Sequence, residues 1–319
     1  MTLAEEITFG GADFNRSALL RRDGAQISHL LRQAETRILP IWRNRVPVEG
    51  NDRLFMAPAD HPVFADAGAP AAFLGLHEGR PLFARDISAW GGDNAAPAGS
   101  GAWDNTGHHH PETPGSCVFV DLRQVMFRLS PLDAELAAMS IGLFAWHRHH
   151  RFCANCGARS HTSMAGWQRE CPKCGRQHFP RTDPVVIVLV TSGNDLLLGR
   201  SPGWPEGMYS LLAGFMEPGE TVEIAARREV FEETRITLGP VTYLASQPWP
   251  FPSSLMIGCR AEATNRTIEI DSQEIEDARW ISREEVMAAW ASPGGAIIAP
   301  REGAIASFLI RNWLSGRLS

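Results

Sequence analysis

The chain has 319 residues, 44% of them hydrophobic, with a formal net charge of −6 and a pI near 6.0. That length exceeds one ordinary domain and predicts two or three compact units with real cores. The acidic balance argues against a general nucleic-acid binder, which needs clustered Lys and Arg, and the longest apolar run, Val185 to Val190, is far too short to cross a bilayer.

Glu5 and Glu6 stand where a signal peptide would carry basic residues, so a soluble cytoplasmic protein is expected. Four of the six cysteines fall in one short segment while Cys117 and Cys259 stand alone, the usage of a metal site in a reducing compartment and not of a disulfide framework.

Residues 1–130 hold strand-like runs at Ala72–His77 and Pro81–Ile87 and no catalytic motif, and are expected to form a separate α+β domain. Gly91 to Gly115 is rich in Gly, Pro, Ala and Asn, the composition of a mobile connection. His108, His109 and His110 lie inside it. Three consecutive side chains on a loop rarely converge on one ion, so a solvated loop is expected there and not a metal site.

Residues 131–180 form a second segment. Ser130 and Pro131 start a helix as N-cap and first helical residue, with Asp133 and Glu135 favoured by the helix dipole and Leu136, Met139, Leu143 and Trp146 as the apolar stripe. His147, His149 and His150 read as polar caps of its last turn. Cys153-x-x-Cys156 and Cys171-x-x-Cys174 follow, each pair succeeded by glycine at Gly157 and Gly175. Two thiolates from each tight knuckle complete a tetrahedral shell with no open position, the pattern of one structural Zn²⁺. A redox dithiol is the competing reading of Cys-x-x-Cys, and the doubled knuckles without an adjacent βαβ pattern speak against it.

Residues 181–319 read as alternating strands and helices. Strands fit Val185–Val190, Leu196–Leu198 after a Gly193-Asn194 turn, Tyr209–Ala213, Val241–Ser246, Leu255–Ala263 and Ala278–Ile281; helices fit Arg283–Trp290 and Ala304–Leu314. Between them, Gly214 and Glu220 precede a helix carrying Arg228, Glu229, Glu232 and Glu233. The three glutamates fall at i, i+3 and i+4, so like charges crowd one face, an arrangement that repels itself unless a cation sits among them. Mg²⁺ or Mn²⁺ would suit such hard oxygen donors. Val222, Ala225 and Ala226 on that face are small enough to leave room for a hydrated ion and a diphosphate. A solvated acidic face is the competing reading. Downstream, SQPWPFPSSLM from Ser246 to Met256 alternates Pro248, Pro250 and Pro252 with Trp249 and Phe251, holding two rings rigidly for stacking on a flat heterocycle or, alternatively, for burial in a core.

The glycine, the lone Glu220, the Arg228-Glu229-Val230 triplet and the Glu232-Glu233 pair together resemble the signature of the Nudix hydrolases. With the four-cysteine segment and QPWPFP, the chain resembles the bacterial NADH pyrophosphatases, which also remove NAD caps from RNA. That resemblance implies an α+β chain in which a Nudix α/β/α sandwich follows the zinc ribbon and the N-terminal domain. It implies hydrolysis of the pyrophosphate of NAD(H), giving AMP and nicotinamide mononucleotide, and removal of the NAD cap from RNA, by a homodimer. Glu229, Glu233, Glu274 and the backbone carbonyl of Ala213 would ligate Mg²⁺ or Mn²⁺, with Glu232, Arg228 and Glu220 completing the catalytic set. Gln247, Pro248, Trp249, Pro250, Phe251, Pro252, Ser253 and Ser254 would line the nucleotide pocket, with Phe215 stacking opposite Trp249 and Ala306 contacting substrate.

Two positions depart from the family pattern. Arg235 replaces a glycine just past the last glutamate, which is expected to alter the helix end and leave the carboxylates working. Phe179 stands where members of the family can carry tyrosine, keeping the ring that could reach a partner subunit's site and losing the hydroxyl. Two rival readings are a broader dinucleotide or ADP-ribose pyrophosphatase and an inactive Nudix module that binds RNA.

Overall fold

A computed structural model describes residues 3–91, 106–291 and 297–318. The chain separates into two compact units: residues 11–181 with 250–253, and residues 1–10 with 182–249 and 254–319. Part of the predicted mobile connection, residues 92–105, lies outside the described residues.

The first unit opens with α1 (Gly24–Leu31), capped by the Asp23 side chain on the Gln26 amide. Two small sheets follow. One has β1 (Arg37–Ile41) parallel to β5 (Arg80–Asp86), with β4 (Ala72–His77) antiparallel on its far edge. The other is antiparallel, β3 (Arg53–Leu54), β2 (Arg45–Glu49) and β6 (Cys117–Asp121). Their apolar residues meet in one core containing Ile38, Trp42, Phe73, Phe83, Ile87 and Phe119. His108 and His110 do not lie in a solvated loop. The ring of His108 meets Trp42 edge-on at 4.7 Å, and His110, 5% exposed, packs on Trp90 at 4.4 Å, while His109 donates to the Cys117 carbonyl. Contact with large aromatic rings outweighs hydration for these imidazoles.

Helix α2 spans Pro131–His149, with the Ser130 hydroxyl accepting from the Asp133 amide. It is buried on most of its circumference, not along one stripe, because segments pack on it from several sides. Its first-turn acids therefore hold tertiary partners: Asp133 accepts from the Leu54 amide, and Glu135 takes the Ala12 amide and the Arg16 guanidinium at 2.7 Å. After it come β7 (His161–Ser163), β8 (Gln168–Glu170) and β9 (Gln177–His178), a small antiparallel sheet.

The second unit is built on a mixed sheet ordered β13 (Thr242–Trp249), β14 (Ser254–Glu262), β10 (Asp183–Ser192), β11 (Asp195–Arg200) and β15 (Asp277–Ser282), with β12 (Leu212–Phe215) paired to β10. Only β10 and β14 run parallel; the other pairs are antiparallel. β10 alternates strictly. Val186, Val188 and Val190 join the core under α3 (Val222–Thr234), while Ile187 and Leu189 face the core made with α4 (Arg283–Ala291) and α5 (Ile305–Leu314). Helices thus cover both faces. Ile7, from the first ten residues, is part of the second of these cores. Among the described residues, no helix is long and apolar enough to span a membrane.

Candidate active site

The acidic helix begins where Gly219, at φ +96°, makes the turn that glycine tolerates, and Thr221 caps it through its hydroxyl on the Ile224 amide. Ala225, Ala226 and Val230, all without exposed surface, seat it on the sheet. The alanines therefore hold the helix down and do not leave the open space for ion and diphosphate that their size suggested.

That seating turns Glu229 and Glu233, one helical turn apart, towards β12, each 8% exposed. Glu229 lies directly over Gly214, where a β-carbon would collide with its carboxylate. Glu274 joins them from the loop before β15. That loop is fixed by the Asp271 amide on the Glu233 carbonyl and by the buried Ile275. One carboxylate oxygen from each of Glu229, Glu233 and Glu274 can lie within 4.8 Å of the others. Glu232 points elsewhere: its side chain is 46% exposed and is paired with Arg228.

Arg228 ties the acids together. Its Nε and Nη2 grip the two oxygens of Glu220 at 2.6 and 2.8 Å, Nη1 reaches Glu229 at 2.8 Å and Glu232 at 2.9 Å, and Nη2 also donates to the Phe215 carbonyl. The guanidinium and the Glu217 amide hold the Glu220 carboxyl down to about 2. Glu229 is shifted upward by burial despite Arg228. Glu233 is pushed up to about 8 by burial and then by the charges of Glu229, Glu274 and Glu232. Its Oε2 is buried without a hydrogen-bond partner. A buried orphan oxygen inside a ring of like charges fits a hard divalent cation, whose charge would remove both the desolvation penalty and the repulsion.

Arg235, at φ 59° and ψ 15°, takes the left-handed conformation that the family's glycine would take, and its amide still bonds the Phe231 carbonyl at 2.8 Å. The helix end is preserved, under strain.

In the aromatic segment, β13 continues through Trp249. Gln247 is fully buried, donating to the Thr8 and Gly303 carbonyls and accepting from the Ile305 amide at 2.8 Å. Its amide is spent on anchoring the N-terminus of α5 and cannot also face a ligand. Ala306, 4% exposed, sits in the core beside Ile305 and Leu309, and does not face solvent either. Pro248 is exposed and Trp249 half-buried on the same strand, with Ser254 half-buried at the start of β14. Pro250, Phe251, Pro252 and Ser253 belong to the first unit, where Phe251 carries the Arg123 guanidinium at 4.7 Å. Phe215, next to Gly214, is 60% exposed; Ala213 is half-buried beside it. Phe179, in the first unit, is 64% exposed.

The four cysteines of the ribbon also converge. Cys153 and Cys174 lie 3.6 Å apart and Cys156 and Cys171 3.5 Å apart, too far for a disulfide and close to the ~3.8 Å edge of a tetrahedron with ~2.3 Å zinc–sulfur bonds. The two knuckles repeat one geometry, with the Gly157 amide on the Cys153 carbonyl and the Gly175 amide on that of Cys171. The Arg176 amide draws the Cys174 thiol down to about 6, towards the thiolate a metal requires. His178 Nε2 stands 3.3 Å from Cys153 Sγ, placed to donate to a thiolate. The sequence reading passed over His178 and the anchoring role of Gln247. The spacing of His178 just past the second knuckle was a usable signal; nothing local marked Gln247.

Residues 35–146 match the NADH pyrophosphatase-like rudimentary NUDIX domain, residues 148–179 the NADH pyrophosphatase zinc ribbon domain, and residues 180–301 the NUDIX domain. The NAD-capped RNA hydrolase NudC of Stutzerimonas stutzeri (strain A1501) is 43% identical over 197 residues, covering 62% of this chain and 68% of that one. Its counterpart in Mycobacterium bovis is 40% identical over 211 residues, 64% of this chain and 67% of the relative. The human NAD-capped RNA hydrolase NUDT12 is 43% identical over 200 residues, 59% of this chain, and this match spans 43% of the longer human protein. With its rudimentary domain, four-cysteine ribbon and Nudix domain in that order, the chain belongs to the NADH pyrophosphatase and NAD-capped RNA hydrolase family of Nudix hydrolases.

Proposed function

We propose that this chain hydrolyses the pyrophosphate bond of NAD(H), releasing AMP and nicotinamide mononucleotide, and acts on the equivalent linkage in NAD-capped RNA. The observation that carries the proposal is the convergence of Glu229, Glu233 and Glu274 within 4.8 Å, with Glu233 Oε2 unsatisfied. Bound Mg²⁺ or Mn²⁺ would neutralise the diphosphate and acidify water for attack on phosphorus. Glu229, Glu233, Glu274 and the carbonyl of Ala213 are its proposed ligands. Arg228 orients Glu229 and Glu232 through hydrogen bonds, and Glu220 in turn locks Arg228. Phe215 and Trp249 are the proposed base-stacking rings, with Pro248 and Ser254 beside them. One Zn²⁺ on Cys153, Cys156, Cys171 and Cys174 would hold the ribbon, and exposed Phe179 is the proposed contribution to a partner's site in a homodimer.

Specificity constants for NADH, NAD⁺, ADP-ribose and NAD-capped RNA, measured by AMP release with each metal, test the substrate. NADH or the capped RNA should exceed ADP-ribose at least tenfold, and Trp249→Ala should injure NADH hydrolysis far more than ADP-ribose hydrolysis. Equal losses would shift the reading to a broad dinucleotide pyrophosphatase; no metal-dependent AMP release at all would remove the enzymatic reading.

A further inference from the structure

A cleft of about 660 Å³ opens within the first unit, between the end of α2 and strands β7 and β8. Its walls carry Arg148, Arg151, Arg159 and Arg169 and, among the described residues, a single carboxylate, Asp86. Asp86 is already engaged: it pairs with Arg148 at 3.3 Å and accepts the Ser88 amide.

Arg169 is the unusual member. It is 7% exposed, and among the described residues its guanidinium donates only to neutral acceptors: the Ser160 hydroxyl at 2.8 Å, the Ser160 carbonyl at 2.7 Å, the Thr162 hydroxyl at 3.5 Å and His147 Nδ1 at 3.1 Å. His147 donates through Nε2 to the Gly166 carbonyl, and burial pushes its pKa down to about 4, so the ring stays neutral and supplies no counter-charge. Arg151 and Arg159 stand exposed at the rim, and among the described residues neither forms an ion pair. A guanidinium withdrawn from water and left without a counter-charge is costly, and two further cations at the mouth raise that cost. An anion entering the cleft would relieve it. The volume falls within the roughly 300–1,000 Å³ of pockets that hold small organic ligands, and Ala69, Pro70 and Ala72 line it together with the largely buried Phe144, an apolar side beside the charges.

We propose that this cleft binds a phosphate-bearing ligand of nucleotide size, its phosphate held by Arg151, Arg159 and Arg169 and its organic part lying towards Phe144. The phosphate could belong to a free nucleotide or to the strand of a capped RNA, and the two are separable by experiment.

The test is calorimetric titration of the zinc-loaded full chain with AMP and with inorganic pyrophosphate, without added Mg²⁺ or Mn²⁺. Saturable binding should survive in Glu233→Gln and weaken at least tenfold in Arg151→Gln/Arg159→Gln, whose altered side chains lie at the surface and whose unchanged melting temperature would establish folding. Equal affinity in the double variant, loss of binding in Glu233→Gln, or no saturable binding to the unaltered protein would each overturn the proposal. Given the expected loss, a raised KM of the double variant for NAD-capped RNA but not for NADH identifies the RNA strand as the source; unchanged KM values for both identify a free nucleotide.

Discussion

The carboxylate of Glu229 occupies the space a side chain at Gly214 would fill, so the first glycine of the acidic motif and its first inward glutamate are two halves of one fit. Substituting Gly214→Ala should displace Glu229 while leaving the β10–β12 pairing in place. Displacements of about 1 Å in such constellations cost on the order of 10²-fold. We expect kcat/KM for AMP release to fall by about that factor, with a melting temperature close to that of the unaltered protein.

Glu233 should make the metal-free protein less stable as pH rises. Its carboxyl sits near 4.5 unfolded and is raised to about 8 by burial and neighbouring charge, so the folded state binds the extra proton throughout that window. Stability from this group is complete below pH 4.5 and is lost as pH rises through 8. Thermal melts of metal-free protein from pH 5 to 8.5 should fall relative to Glu233→Gln, and added Mn²⁺ should cancel the difference. Apparent metal affinity should strengthen with pH, by up to about tenfold per unit, because the ion competes with that proton.

Arg235 pays for a left-handed backbone that glycine adopts freely. For other L-residues that conformation costs roughly 1–2 kcal/mol. Against the gain stand a greater loss of chain entropy for glycine and the loss of the Arg235 guanidinium from the exposed Phe231 ring, 5.2 Å away. Arg235→Gly should therefore stabilise by about 0.5–1 kcal/mol in denaturant melts and leave AMP release unchanged. A destabilised variant would mean that the guanidinium contact outweighs the strain.

Gln247→Leu should be the most damaging of these changes. It removes the partner of two carbonyls and one amide that water cannot reach through a fully buried side chain. Each buried polar group left unsatisfied costs roughly 1–3 kcal/mol, so a loss of about 3 kcal/mol or more in chemical denaturation is expected. Rapid hydrogen exchange at the Ile305 amide would locate the damage at the start of α5.

The strands of the second unit were legible because β10 carries an unbroken apolar, mostly β-branched run from Val185 to Val190, β14 carries Leu255, Met256 and Ile257 near its start, and Gly193-Asn194 marks the turn. In the first unit β1, β2 and β6 passed unread: Pro40 and Pro47 interrupt two of them, and β6 follows a glycine-rich stretch. The histidine triplet looked like a loop because its aromatic partners, Trp42 and Trp90, are remote in sequence. The acidic helix displayed its charges in the sequence, yet helical spacing could not separate the inward Glu229 and Glu233 from Glu232, since that division depends on how Ala225, Ala226 and Val230 seat the helix. Glu274 carried no local sign either; only the resemblance singled it out, and its place beside Glu233 comes from a loop pinned by Ile275. The arginines of the cleft were invisible for the same reason, being scattered across α2 and the ribbon.

The insertion of Ile7 into the core beside α5 sets a schedule for biosynthesis. Its partners Ile305 and Leu309 emerge about 300 residues later, a delay of roughly 15–60 s at ordinary translation rates. Until then the sheet face they help cover lacks the α5 side of its core, so chaperone dependence should concentrate on that interval, and a ribosome stalled before residue 305 should present this apolar face to proteases.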